Sequence, residues 1–69
     1  MQRQPVSSSN IESIGYDPAA QILEVAFLNH TVYQYFNVPQ HVYEELMAAG
    51  SHGTYLNATI KGVYQYQKV

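Results

Sequence analysis

The stretch ILEVAFLNHTVYQYF, residues 22–36, decides the fold. Leu23, Val25 and Phe27 alternate with Glu24 and Ala26, the period-two pattern of a half-buried strand. Asn29 and His30 supply turn chemistry, because Asn tolerates the left-handed backbone that hairpins need. Thr31 to Phe36, rich in β-branched and aromatic residues, makes the return strand. Tyr33 and Tyr35 stand two residues apart on that strand, so both rings point to the same face.

Which face depends on the register. With a two-residue loop, Asn29-His30, Val25 lies opposite Gln34. The core face is then Leu23, Val25, Phe27, Val32, Gln34 and Phe36, and both tyrosines lie on the open face. With a three-residue loop, Leu28-Asn29-His30, His30 takes the left-handed position. Val25 then faces Tyr33, Leu23 faces Tyr35, and Glu24 meets Gln34 on the outside. A slip of one residue inverts every side chain. The shorter loop buries the Gln34 amide under the helices, at about 1–3 kcal/mol if unpaired. The longer loop exposes Val32 and Phe36 but sorts polar from apolar better. Polar sorting therefore favours the longer loop, with the tyrosines on the core face.

Outward from the hairpin, residues 1–6 are polar and read as a flexible tail. Asn10 to Tyr16 is a candidate first strand, although Ile11 and Ile14 do not alternate strictly. Asp17, Pro18, Ala19 and Ala20 form a turn. Beyond Val38, Pro39 suits the first turn of a helix, in which Val42, Tyr43, Leu46, Met47 and Ala49 recur at helical spacing and Gly50 sits just past the end. Ser51 is a candidate cap for a second helix, whose apolar face is Tyr55, Leu56, Thr59, Ile60, Val63 and Tyr64. Residues 65–69 stay unassigned, with Tyr66 placed to pack back onto the sheet. The order β-β-β-α-α implies an α+β fold: a three-stranded antiparallel meander with two helices on one face, in a single domain over residues 7–69.

The chain has 69 residues, seven tyrosines, two phenylalanines, no tryptophan and no cysteine. Disulfides and thiolate metal sites are thereby excluded. Large rings suit a domain too small to stack many aliphatic layers, since each buries roughly 150–250 Å². The formal net charge is −2, with Arg3, Lys61 and Lys68 as the only Lys or Arg residues. That balance lacks the usual footprint of a nucleic-acid binder. The longest apolar run, Ile22 to Leu28, is too short to span a bilayer, and the N-terminus carries no apolar signal region. A cytoplasmic location without a membrane partner is expected.

Several stretches together carry a family resemblance. They are Ser9-Asn10-Ile11 with Ile14-Gly15-Tyr16-Asp17-Pro18, Leu23 to Phe27, Tyr33-Gln34-Tyr35 before Val38-Pro39, Tyr43 with Leu46, and Ser51-His52-Gly53-Thr54-Tyr55-Leu56-Asn57 before Ile60. Their combination resembles the KTSC domain, a small bacterial and phage module also found after some lysyl-tRNA synthetases, over roughly residues 7–66. The family it resembles has no established biochemical function. The resemblance implies RNA or single-stranded nucleic-acid binding through Tyr33 and Tyr35. The chain departs from the family in carrying His30 where Gly is common, and in its acidic balance.

Other constellations are weak. His30, His41 and His52 fall on a hairpin tip and two helix starts, so no metal site is expected. Ser51 and His52 point apart at a helix start, without a third group to orient the histidine. Glu44 and Glu45 are helix neighbours and cannot face each other. Gly50, Gly53 and Gly62 lack phosphate-loop spacing and its Lys. The expectation is a non-enzymatic module without a cofactor. Tyr55, Asn57 and Lys61 form a second candidate contact patch, because residues four apart share a helix face. Tyr33 and Tyr35 are the candidate base-stacking pair, with Lys61, Lys68 and Arg3 for phosphate. The alternative is a module that binds a protein partner or itself, with the tyrosines serving as core.

Overall fold

The computed structural model describes residues 1–69. Its elements are β1 (Arg3–Pro5), β2 (Ile11–Asp17), β3 (Ile22–Phe27), β4 (Val32–Tyr35), α1 (Gln40–Ala48), α2 (His52–Tyr55), a π-helical stretch (Leu56–Ile60) and β5 (Tyr66–Lys68). The five strands form one antiparallel sheet in the order β1-β2-β3-β4-β5. The helices cover one of its faces, so the α+β two-layer architecture stands. The expected count of three strands is corrected to five.

The two additional strands come from the chain's ends. Residues 1–6, expected as a flexible tail, contain β1, and the unassigned end contains β5. Each has three exposed residues, too few to show a hydrophobic period. Backbone pairing places them, with Arg3 opposite Gly15 and Tyr66 opposite Tyr35. Gly15 permits the first contact: a Cβ there would stand 2.9 Å from the Gln2 carbonyl oxygen.

The hairpin adopts the three-residue loop. Leu23 pairs with Tyr35, Glu24 with Gln34 and Val25 with Tyr33, and His30 is left-handed at φ 70. Asn29 Oδ1 closes the loop by accepting from the Thr31 N–H at 3.2 Å and from Thr31 Oγ1 at 2.6 Å. Ile11 and Ile14 both reach the core because the ladder shifts by one residue between Ile11 and Ser13, a bulge that restores the face. Asp17 Oδ1 accepts from the backbone of Ala19 and Ala20, as its turn role requires.

The core is one-sided. Ile11, Ile14, Leu23, Val25 and Tyr35 from the sheet meet Val38, Val42, Leu46, Leu56 and Ile60 from the helix layer. Tyr16 stacks on Tyr43 with ring centroids 4.8 Å apart and donates to the Val38 carbonyl. Pro39 caps α1 from outside rather than beginning it. The far end of α1 closes without a left-handed Gly50. Ala49 is extended, and both its N–H and His52 Nδ1 meet the Leu46 carbonyl.

The second helix is shorter than its apolar pattern suggests. Ser51 caps α2 through the Thr54 N–H. The helix then widens, with the Lys61 N–H donating to the Leu56 carbonyl, five residues back. It stops at Lys61, which is extended, and Gly62 turns the chain at φ 78. Val63 is consequently exposed, and the chain is freed to return along β4 as β5.

Candidate functional site

The register decides what each ring offers. Tyr35 is only 2% exposed and forms part of the core, which corrects its candidate role as a stacking ring. Burial pushes its hydroxyl pKa up, reinforced by Tyr33 and Tyr66. Tyr33 lies on the same face but is half-buried. It stands edge-to-face with Phe27 at 5.7 Å and with Tyr66 at 5.6 Å. Tyr66, which is exposed, also leans on Tyr35 at 5.9 Å. Paired aromatic edges and faces of this kind hold one another in fixed orientations.

Tyr33 and Lys61 are shared by two neighbouring compartments, together called the groove. Tyr33, Tyr35, Lys61, Gly62 and Tyr66 line the first, of about 400 Å³. The second, at the hairpin end, is lined by Ser9, Asn10, Phe27, Leu28, Asn29 and Thr31, again with Tyr33 and Lys61. Both fall in the range of about 300–1,000 Å³ common for small-ligand sites. Lys61 reaches both because the helix ends just before it. Lys68 lies opposite Tyr33 on β5 and therefore shares its face. No carboxylate lines either compartment.

The acidic residues are elsewhere. Glu12 and Asp17 are on β2, Glu24 on β3, and Glu44 and Glu45 on α1. Arg3, expected to meet phosphate, lies on the opposite face of the sheet. There it bonds Glu24 at 2.6 Å, the single ion pair of the molecule. Glu24 also accepts from Gln34 Nε2 at 2.8 Å. The Gln34 bond, with Arg3, holds the Glu24 carboxyl below the usual range against the opposing effect of burial.

The expected patch of Tyr55, Asn57 and Lys61 is not assembled. Tyr55 turns its hydroxyl to Glu45 at 2.7 Å, and that bond pushes its pKa up. Asn57 is exposed and lines neither compartment. The wide helical stretch after Leu56 breaks the four-residue spacing on which the patch depended. Tyr66, Asn29 and Asn10, read in the sequence as a packing residue, a turn residue and the start of the first strand, join the groove instead. The three histidines do not converge, and no cluster of potential metal ligands exists.

The KTSC domain family matches residues 7–66. The crystal structure of a KTSC domain protein from Yersinia pestis superposes with a TM-score of 0.96 at 46% identity, over 99% of this chain and 96% of that one. A protein of Tsukamurella paurometabola is 48% identical over 58 residues, 84% of this chain and 87% of the relative. A lysine–tRNA ligase of a Nostoc species is 39% identical over 61 residues, 88% of this chain but 11% of the ligase. The chain belongs to the KTSC domain family.

Proposed function

We propose that this member of the KTSC family is a non-enzymatic module that binds single-stranded RNA in the groove around Tyr33. The observation that carries this reading is the convergence of Tyr33, Tyr66 and Lys61 on one acid-free compartment, with Lys68 paired opposite Tyr33 on the same face of the sheet. An exposed ring stacks on any base, and a nearby ammonium meets the phosphate that follows it. The net charge of −2 argues against RNA only when taken as a total. Arg3 is neutralised on the far face, and both lysines lie where the rings are. The relationship to part of a lysine–tRNA ligase, a protein that handles RNA, supports the same reading.

The test is binding of a short oligouridylate, followed across salt. Two lysine–phosphate contacts on a single strand give a slope of about −1.4 in log affinity against log salt, from about −0.7 for each. Lys61→Gln removes about half of it. Tyr33→Ala and Tyr66→Ala each weaken binding by about tenfold, from roughly 1–3 kcal/mol for each stacked base. Absence of binding at low salt overturns the proposal.

A second reading rests on exposed apolar residues beside β5, namely Val63 at 65%, Tyr66 at 62% and Val69 at 59%. Such a surface suits a protein partner or a second copy of the chain. Sedimentation equilibrium separates the two readings, because self-association through β5 covers Tyr66 and competes with RNA.

A further inference from the structure

The two compartments flanking Tyr33 differ in chemistry. On the Tyr66 side the lining is three aromatic rings, Gly62 and Lys61. On the hairpin side two carboxamides, Asn10 and Asn29, join Lys61, and their orientation follows from their own bonds. Asn29 Oδ1 accepts from both the N–H and the hydroxyl of Thr31. Ser8 Oγ accepts from the N–H groups of Asn10 and Ile11, so its single proton goes to Asn10 Oδ1 at 3.1 Å. Both carboxamide oxygens are thus engaged within the protein, and each side chain keeps its Nδ2 donors. Gly53 leaves room for Asn10, since a Cβ there would stand 2.7 Å from Asn10 Oδ1. Two sets of amide donors and one ammonium, with no carboxylate among the lining residues, suit an oxyanion.

We propose that the compartment lined by Asn10, Asn29 and Lys61 seats a phosphate group of the bound strand, while a base lies on the Tyr66 side of Tyr33. This inference rests on the RNA reading and adds to it a direction: phosphate toward the β3–β4 loop, base toward β5. Lys61, present in both compartments, follows the backbone across the ring.

Asn29→Asp is the discriminating variant. It keeps an oxygen for Thr31, so the hairpin stays closed, but replaces the donor end with an anionic acceptor. Asn10→Asp does the same beside Ser8, and Gln67→Glu on the opposite face of the sheet controls for one added charge. The probes are a six-residue oligouridylate and inorganic phosphate, followed by the side-chain amide and backbone signals of labelled protein. Both probes are expected to shift the Asn10 and Asn29 amide signals. Either Asp variant is expected to lower oligouridylate affinity at least tenfold more than Gln67→Glu does, with the backbone spectrum retained. If the strand binds and Tyr33→Ala weakens it, yet the Asp variants match Gln67→Glu, the phosphate seat is overturned and the RNA reading survives. If phosphate shifts both amides but no strand binds, the RNA reading falls and the seat is that of a free phosphate compound. If neither probe binds, both are overturned.

Discussion

Gln34 donates a 2.8 Å hydrogen bond to Glu24 directly across the β3–β4 ladder, on the face away from the helices. Any register that makes this pair also sets Val25 against Tyr33 and Leu23 against Tyr35. Arg3 extends the pair to the edge strand through its 2.6 Å bond to the same carboxylate. Two consequences follow for stability.

Arg3→Ala removes the cationic end of this chain of bonds while leaving Gln34 in place. The expected loss is about 1 kcal/mol, because the pair is partly exposed. The loss is concentrated in β1. The Val6 N–H, which bonds the Glu12 carbonyl at 3.1 Å, should exchange faster, whereas amides in β3 keep their protection.

The same carboxylate sets an acid limit. The Glu24 pKa lies lower in the folded chain than its ordinary value of 4.5. Its contribution is complete above that ordinary value, where both folded and unfolded chains are ionised. It is lost as pH falls through the lowered folded value, because the unfolded chain takes up the proton first. Denaturant midpoints measured from pH 6 down to pH 2 should therefore fall less steeply for Glu24→Gln than for the parent chain.

Tyr33 and Tyr35 should separate cleanly under substitution. Tyr35 is fully enclosed, so Tyr35→Ala costs about 3–5 kcal/mol, comparable with the whole stability of a small domain. Tyr33→Ala costs less, because that ring is half-buried. Thermal melts give the ranking, and a folded Tyr33→Ala protein is the one suited to binding measurements.

His30 holds a left-handed backbone at φ 70, a conformation that disfavours a side chain. His30→Gly relieves that strain at some cost in unfolded-chain entropy. A net gain of about 0.5 kcal/mol is expected, read as a raised melting temperature with an unchanged hairpin register.

Gly15→Ala should act oppositely, because its Cβ would meet the Gln2 backbone. Displacement of β1 is expected, with loss of Val6 protection while the core strands stay intact.

The central hairpin and its register were legible because burial leaves a period in the sequence: Leu23, Val25 and Phe27 on one side, Glu24 and Gln34 on the other. The edge strands were not, since Arg3–Pro5 and Tyr66–Lys68 are exposed and held mainly by backbone pairing, which leaves no side-chain period. The second helix misled for a different reason. Val63 and Tyr64 continue its apolar spacing, but Gly62 turns the chain before they can join it. Of the site, Tyr33 and Lys61 were readable as residue types with a role. Their partnership with Tyr66, Asn10 and Asn29 was not, because it joins the two ends of the sequence to its middle.

The separation of charge along the sheet order has a kinetic meaning. Acidic groups occupy β2, β3 and α1, whereas Lys61 and Lys68 flank the β4–β5 side. Such an uneven spread of charge favours the approach of an anion from the side that carries the lysines. Under the proposed RNA reading, this arrangement predicts that raising the salt slows capture of the strand at the groove while it hastens collisions elsewhere.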